Sequence, residues 1–285
     1  MIRFLFAALT ITAAWAGDLA KANEYLRQVL ETSDIPARID LLQKSLKEQP
    51  SFAGHYNLGK ALRDRSENNE AISEFRRALE FTTRAAKTDR AHAYFQIGST
   101  MVQSGNAAEG LAYMQYSLAL DKHPAVEQAI LRAQMQLAGA IQPAAALSRA
   151  FVAASRDLVL DDSTAGAAPV RVSLWIQFEF DRADLNQRGI QQARELVNAL
   201  NATSLPGYRF RVVGHTDLIG TAEYNKVLSL KRAQTVSAYL ATEAHIARER
   251  LLPEGHGMDE PLITSGDQVQ QAVNRRVDIV LVRQN

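Results

Sequence analysis

The sequence contains no cysteine among its 285 residues, and other shortages in its composition also exclude classes of protein. Without cysteine there is no disulfide framework, no thiolate metal site, no catalytic thiol and no residue for a bacterial lipid anchor. The formal net charge is only +1, so no overall field favours nucleic acid or anionic lipid, and no nucleic-acid partner is predicted. Beyond the N-terminus, no apolar run reaches the roughly 20 residues of a spanning helix, so no transmembrane segment is predicted in the mature chain.

The N-terminus has the pattern of a secretory signal. Arg3 precedes an apolar run at 4–14, and Ala14-Trp15-Ala16 is a small-x-small cleavage site, so residues 1–16 are predicted to be a signal peptide. The alternative is an uncleaved membrane anchor, which the short apolar run disfavours. The mature protein is therefore expected outside the cytoplasm.

Two regions of different pattern follow. Residues 17–160 carry apolar side chains at helical spacing, whereas residues 170–285 mix strand-like alternation with helical spacing. Between them, residues 161–169 have the small and polar composition of a linker.

The helical region contains an internal repeat. Gly59 and Gly98 are 39 positions apart, as are Phe75 and Met114, and the small-and-large pattern resembles a tetratricopeptide repeat. Since that family's period is about 34, the extra residues near 83–90 would lengthen a helix or a turn. A generic helical bundle is the alternative. If the repeats are present, their concave face is expected to bind a protein or peptide.

The C-terminal region is predicted to be a two-layer α/β sandwich of order β-α-β-α-β-β, which makes the whole chain α+β. The predicted elements are a strand at 170–180, a helix capped by Asn186, a strand at 208–212, a helix capped by Ser229, a strand from 251 and a central strand at 277–282.

Six motifs in this region carry a family resemblance: Phe178–Leu185, Gly214-His215-Thr216-Asp217, Tyr224-Asn225, Arg232-Ala233, Gly255-His256-Gly257 and Asn274-Arg275-Arg276-Val277. In this order and spacing they resemble the OmpA, Pal and MotB peptidoglycan-binding domain over essentially all of residues 170–285. The resemblance implies a non-enzymatic domain whose ligand is the diaminopimelate of the peptidoglycan stem peptide.

The side chain of diaminopimelate ends in an ammonium and a carboxylate on one carbon, so its receptor needs an anion beside a cation. Asp217 would accept hydrogen bonds from the ammonium, and Arg232 would offer a planar fork to the carboxylate. With Ser229 as the cap, Arg232 is expected in the first turn of its helix, where the helix dipole favours an anion.

By the resemblance, Thr216 and Asn225 match supporting hydrogen-bonding positions, and Arg276 is a further candidate. The alternative for the central pair is a structural salt bridge between Asp217 and Arg232, which contributes little to stability at a surface.

The histidines suggest one enzymatic alternative, in which His215, His256 and Asp217 hold zinc and hydrolyse the wall. It is disfavoured because no glutamate base or third ligand stands at metal spacing in the sequence. No metal, cofactor or catalytic residue is therefore predicted.

The sequence predicts a periplasmic, wall-associated adaptor that binds peptidoglycan and tethers a protein-interaction module, with the outer membrane as one site of attachment. The alternative function is a scaffold component of a wall-associated secretion or envelope machine.

Overall fold

A computed structural model describes residues 18–83, 86–157 and 170–284, so the predicted signal peptide and linker lie outside the described residues. The chain divides into two compact units between Thr100 and Met101. The domain boundaries predicted at 160 and 170 fall inside the second unit and stay predictions. Within the described ranges, no helix is long and apolar enough to cross a membrane.

The first unit is built of helices. They are α1 (Leu19–Glu31), α2 (Ile35–Glu48), α3 (Phe52–Asp64), α4 (Asn68–Glu80) and α5 (Lys87–Gln103), the last of which runs into the second unit.

Side-chain caps fix where the first three helices begin. Asp18 accepts a hydrogen bond from the backbone N–H of Lys21, Asp34 from that of Ala37, and Ser51 from that of Gly54. Each cap satisfies a backbone donor that the helix itself leaves unpaired, which stabilises a helix by about 1 kcal/mol.

The α3–α4 pair shows the small-and-large packing that the repeat predicted. A Cβ added to Gly59 would lie 2.7 Å from the ring of Phe75, so only glycine lets that ring lie against α3. The corresponding first helix of the next predicted repeat, α5, has 17 residues against 13 in α3, which places part of the extra length in a helix. The helices are consistent with repeats; their tetratricopeptide identity stays a prediction.

The second unit combines helices with a sheet. Its elements are α6 (Ala107–Leu120), α7 (Pro124–Ala138), α8 (Ala144–Val152), a π-helical turn (Ala153–Asp157), β1 (Arg171–Leu174), α9 (Gln187–Ala202), β2 (Tyr208–His215), α10 (Ala222–Glu243), a 3-10 turn (Arg248–Arg250), β3 (Leu251–Gly257), α11 (Gln268–Gln271), a second 3-10 turn (Ala272–Asn274) and β4 (Val277–Arg283).

The sheet has the order β1-β4-β2-β3. Strand β4 lies centrally and antiparallel to both neighbours, whereas β2 and β3 are parallel and are connected through α10. The predicted α+β class, the order β-α-β-α-β-β and the central strand at 277–282 are confirmed. Asn186 caps α9 as predicted, since its side chain accepts from the N–H of Gly189.

Helix α10 contacts the backbone of the sheet directly. A Cβ on Gly214 would lie 2.2 Å from the carbonyl oxygen of Ser229, and one on Gly255 would lie 2.5 Å from the backbone nitrogen of Leu230. Because successive strand residues point to opposite faces, the neighbouring His215 and His256 lie on the face away from α10.

The prediction that Ser229 caps a helix is wrong. Helix α10 begins at Ala222 and is capped by Thr221, whose side chain accepts from the N–H of Tyr224. Ser229 is buried in mid-helix, where its hydroxyl donates to the carbonyl of Lys226 and accepts from the N–H of Gly257. Its hydroxyl therefore joins the helix to β3.

The first strand is shorter than its alternating pattern predicted. Strand β1 ends at Leu174, Phe178 forms only an isolated bridge with Leu185, and Phe180 is 91% exposed. Trp175 leaves the ladder to donate from its indole N–H to the carbonyl of Val273. Alternation of apolar and polar residues indicates that one face of the segment is buried and the other exposed. It does not show that a neighbouring strand is present to pair with it.

Helices α6–α8 belong to the same unit as the sheet. Gln142 and Gln192 exchange hydrogen bonds of 2.7 and 3.1 Å, and the side chain of Gln142 donates to the carbonyl of Ser173. The end of α7 and the start of α8 are thereby attached to α9 and β1.

Candidate functional site

A cavity of about 630 Å³ opens beside the carboxyl end of β2. Four of the five predicted site residues line it, namely Thr216, Asp217, Asn225 and Arg232. Its wall also includes residues 175–181, the loop before α10, the 272–275 turn, and Ala138, Asn186, Tyr224 and Leu228. We call it the Asp217 cavity.

Asp217 is held by two contacts. Its Oδ2 lies 2.8 Å from Nη1 of Arg275, and its Oδ1 accepts from the N–H of Ile219 at 3.2 Å. Its side chain is only partly exposed. A carboxylate has about four acceptor positions, so these contacts leave capacity for a ligand donor.

Thr216 and Asn225 shape the loop that carries Asp217. The backbone N–H of Thr216 donates to the carbonyl of Gly257 at 2.9 Å, and the Asn225 amide donates to the carbonyl of Ile219 at 2.9 Å. Both side chains are buried. Between them Gly220 has φ +97°, a left-handed conformation that favours glycine.

Arg232 is a buried cation facing the cavity from α10. It is 9% exposed, its Nε donates to the carbonyl of Arg182 at 3.1 Å, and its guanidinium carbon lies 4.9 Å from the centre of the Phe178 ring. Burial, followed by the positive charge of Arg275, lowers the pKa of Arg232. Arginine nevertheless stays protonated in proteins.

Arg232 has no carboxylate within ion-pair distance in residues 18–83, 86–157 and 170–284. The alternative salt bridge with Asp217 is therefore not formed, since Asp217 pairs with Arg275. Arg232 is the eleventh residue of α10, so the predicted assistance from the helix N-terminus is wrong. A buried cation without a paired charge is costly, and an anionic ligand would relieve that cost.

Arg276 lies outside the cavity, contrary to its prediction as a site residue. It is buried, with its Nε 3.2 Å from Oδ1 of Asp278 and its Nη2 donating to the carbonyl of Glu260. The neighbouring Arg275 lines the cavity instead. Adjacent residues point in opposite directions as the chain enters β4. The sequence alone could not show which of the two adjacent arginines faces the cavity.

Sequence reasoning also missed Tyr224 and Asp181, although both stand inside the motifs it identified. The Tyr224 hydroxyl donates to Oδ1 of Asp181, and this contact raises the pKa of Tyr224. Asp181 has φ +58°, so the turn there is strained for a residue with a side chain. The pair closes one edge of the Asp217 cavity.

A second group of charges lies on the face of the sheet away from α10. Asp278 is 1% exposed, and its Oδ2 lies 3.2 Å from Nε2 of His215. Burial opposes ionisation of Asp278, but the positive charge of Arg276 and the contact with His215 outweigh it and lower the pKa of this carboxyl. Burial in turn lowers the pKa of His215.

Glu260 joins His215 and His256 at this face. The ligand atoms of all three lie within 4.8 Å of one another. The expectation that no third ligand stands near the histidines is therefore wrong. The turn after β3 brings Glu260 next to His256, and the pairing of β3 with β2 brings both residues close to His215.

Comparison with known proteins shows that the part of the chain that forms most of the cavity matches a protein family. The sequence model of the OmpA family matches residues 177–275, which include Thr216, Asp217, Asn225, Arg232 and Arg275. Over 122 residues the chain is 33% identical to the peptidoglycan-associated lipoprotein of Pseudomonas aeruginosa, covering 42% of this chain and 69% of that protein. The chain belongs to the OmpA family.

Other OmpA-family relatives match the same part of the chain. Outer membrane porin F of Pseudomonas fluorescens is 32% identical over 112 residues, which are 39% of this chain and 33% of that protein. The chain thus spans about a third of the length of that porin. A solved structure of the cell wall anchor of the T6SS from Pseudomonas aeruginosa is 28% identical and covers 41% of this chain and 85% of that one, with a TM-score of 0.35.

Proposed function

We propose that this chain binds peptidoglycan noncovalently, with the zwitterionic end of diaminopimelate in the Asp217 cavity. In this arrangement Asp217 accepts from the ammonium, and Arg232 donates to the carboxylate. The observation that carries the proposal is a buried arginine with no carboxylate partner among the described residues, in the same cavity as a part-exposed aspartate. The name of the 33% identical relative, a peptidoglycan-associated lipoprotein, supports the ligand class.

The charges in the cavity suit a zwitterion better than a simple ion. Asp217 is already paired with Arg275, so a simple cation would compete with that guanidinium for the carboxylate. A simple anion bound to Arg232 would be repelled by the negative charge of Asp217. A ligand that carries both charges satisfies Asp217 and Arg232 together. Arg275 also lines the cavity and would add positive charge for the carboxylate.

Each charge-assisted hydrogen bond contributes about 1.5 to 3 kcal/mol net. Loss of either partner is therefore expected to lower affinity by about tenfold or more. Thr216 and Asn225 would act through the loop backbone, because their hydrogen bonds hold its shape.

Co-sedimentation with purified diaminopimelate-containing sacculi tests the site. Asp217→Ala and Arg232→Ala are each expected to reduce the bound fraction, while Glu243→Ala and Arg248→Ala, two exposed positions of the same unit, retain it. Wild-type retention by both cavity variants would reject the proposed site.

We propose no enzymatic activity for the Asp217 cavity. Its charged residues suit the binding of a charged ligand, and the proposed noncovalent binding involves no cleavage of a covalent bond. Incubation of the chain with purified walls is expected to release no muropeptides, with or without added zinc. Release above that of a heat-inactivated sample would contradict a purely binding function.

We propose that the helices of residues 18–100 bind a protein or peptide. The wall-binding domain would keep these helices in the periplasm. The proposal rests on their helical hairpins and on the Gly59–Phe75 packing typical of repeat modules. Site-specific crosslinking in cells from exposed positions of α1–α5, compared with the same positions in an Asp217→Ala background, tests it. One partner captured in both backgrounds supports a tether, whereas capture of nothing specific rejects the role.

A further inference from the structure

Strand pairing creates a second cluster of chemical groups, on the face of the sheet away from α10. Strands β2 and β3 run parallel, and the rings of His215 and His256 lie edge to face with centroids 5.5 Å apart. Glu260 follows His256 by four residues in the turn after β3. We call His215, His256 and Glu260 the His–Glu cluster.

The spacing of this cluster suits a metal ion. One ligand atom from each residue falls within 4.8 Å of the other two, and Nδ1 of His256 lies 3.1 Å from Oε1 of Glu260. Two ligands bound at about 2.0–2.1 Å to a tetrahedral zinc ion stand about 3.3 Å apart. The two atoms are thus already near the separation that a shared ion requires.

His215 is a buried histidine with a carboxylate beside one ring nitrogen. Its side chain is 1% exposed, and Asp278 Oδ2 lies 3.2 Å from its Nε2. Neither ring nitrogen makes a hydrogen bond of good geometry to the described residues. A buried imidazole in that condition is costly, whereas a ligating histidine commonly has a carboxylate beside its second nitrogen.

The surrounding charges leave one ligand position open on Glu260. Its Oε2 contacts Arg171, while its Oε1 faces His256. Since one carboxylate can accept through both oxygens, Arg171 can keep its contact while Oε1 binds an ion. His256 and Glu260 are both partly exposed, so an ion can reach them from solvent.

We propose that His215, His256 and Glu260 bind a divalent transition-metal ion of the zinc type. Two imidazoles and a carboxylate suit zinc and not magnesium, which prefers oxygen ligands, and the fourth position is left for water. The ion would connect the ends of β2 and β3 with the following turn. The proposal is independent of the wall-binding function, because none of its three ligands lines the Asp217 cavity.

Isothermal titration of the full chain with Zn²⁺, and separately with Mg²⁺, tests the proposal. One equivalent of Zn²⁺ is expected per chain, with no saturable binding of Mg²⁺ and a rise in melting temperature that depends on Zn²⁺ concentration. The part-exposed ligands are the ones to change, since replacement of His215 would disturb the core.

His256→Ala and Glu260→Gln are each expected to lower the affinity for Zn²⁺ by at least about tenfold. His92→Ala, at an exposed histidine in α5, is the matched control and is expected to keep the affinity of the unaltered chain. The absence of saturable Zn²⁺ binding would overturn the proposal, as would equal Zn²⁺ affinity in the unaltered chain and both ligand variants. Sacculus binding measured on the same samples reports separately on the Asp217 cavity.

Discussion

Asp217 and Arg275 form an ion pair across the Asp217 cavity, with 2.8 Å between Oδ2 and Nη1. The pair joins the loop after β2 to the turn before β4. It leaves Arg232, the buried cation of the same cavity, without a paired carboxylate among the described residues. The division of roles is specific: one arginine holds the aspartate, and the other is available to a ligand.

Arg275→Ala is expected to weaken binding of a diaminopimelate-containing muropeptide several-fold, but less than Arg232→Ala does. Arg275 pairs with Asp217 and would add positive charge for the proposed carboxylate, yet it is more exposed than Arg232, so its contacts are more strongly screened. Calorimetry with a soluble muropeptide measures both variants. Equal or tighter binding by Arg275→Ala would show that the ion pair competes with the ligand.

Arg232→Lys is expected to lower muropeptide affinity by about tenfold or more although it preserves the charge. Lysine lacks the planar fork for a carboxylate, and it cannot keep both the contact of Nε with the Arg182 carbonyl and the stacking on Phe178. Arg248→Lys, at an exposed position, is the control. Full affinity in Arg232→Lys would mean that the site senses charge alone.

Arg276→Met is expected to lower the free energy of unfolding by about 3 to 5 kcal/mol, because it leaves Asp278 buried without one of its cations. The folded fraction should keep its muropeptide affinity, since Arg276 lies outside the cavity. Urea unfolding measures the stability and calorimetry the affinity. Lost affinity with unchanged stability would instead make Arg276 a ligand contact.

Gly214→Ala is expected to destabilise the second unit by about 3 kcal/mol or more, because the added Cβ would lie 2.2 Å from a backbone oxygen of α10. Gly139→Ala is the matched control: it meets nothing within 4 Å and should be neutral or slightly stabilising. Similar urea midpoints for the two variants would contradict the close approach of α10 to the sheet.

Local signals predicted much of the fold. Alternation identified β2, and a run of β-branched and apolar residues identified β4. Helical spacing with Asn186 identified α9, and the glycine-phenylalanine pattern anticipated the packing of α3 on α4. These signals succeed because each depends on nearby residues or on a simple period. The predicted end of β1 and start of α10 were wrong because they depend on distant residues. Trp175 and Ser229 are held by hydrogen bonds to residues 98 and 28 positions away.

The candidate site shows the same division. The motif spacing brought Thr216, Asp217, Asn225 and Arg232 to one cavity, but it could not assign adjacent arginines to opposite faces at the start of β4. Nor could it bring Glu260 to His215, since that proximity depends on the pairing of β2 with β3 and on the turn after β3. Tertiary pairing is the information that a single sequence lacks.

The proposal that Arg232 binds the carboxylate of diaminopimelate can be tested with two muropeptides that differ in this group. Calorimetry would compare a diaminopimelate-containing muropeptide with its lysine-containing counterpart, which keeps the ammonium but lacks that carboxylate, for the unaltered chain and for Arg232→Ala. The unaltered chain should prefer diaminopimelate by about tenfold or more, and the preference should vanish in Arg232→Ala. Equal affinity of the unaltered chain for both muropeptides, or a preference that survives in Arg232→Ala, would contradict the claim.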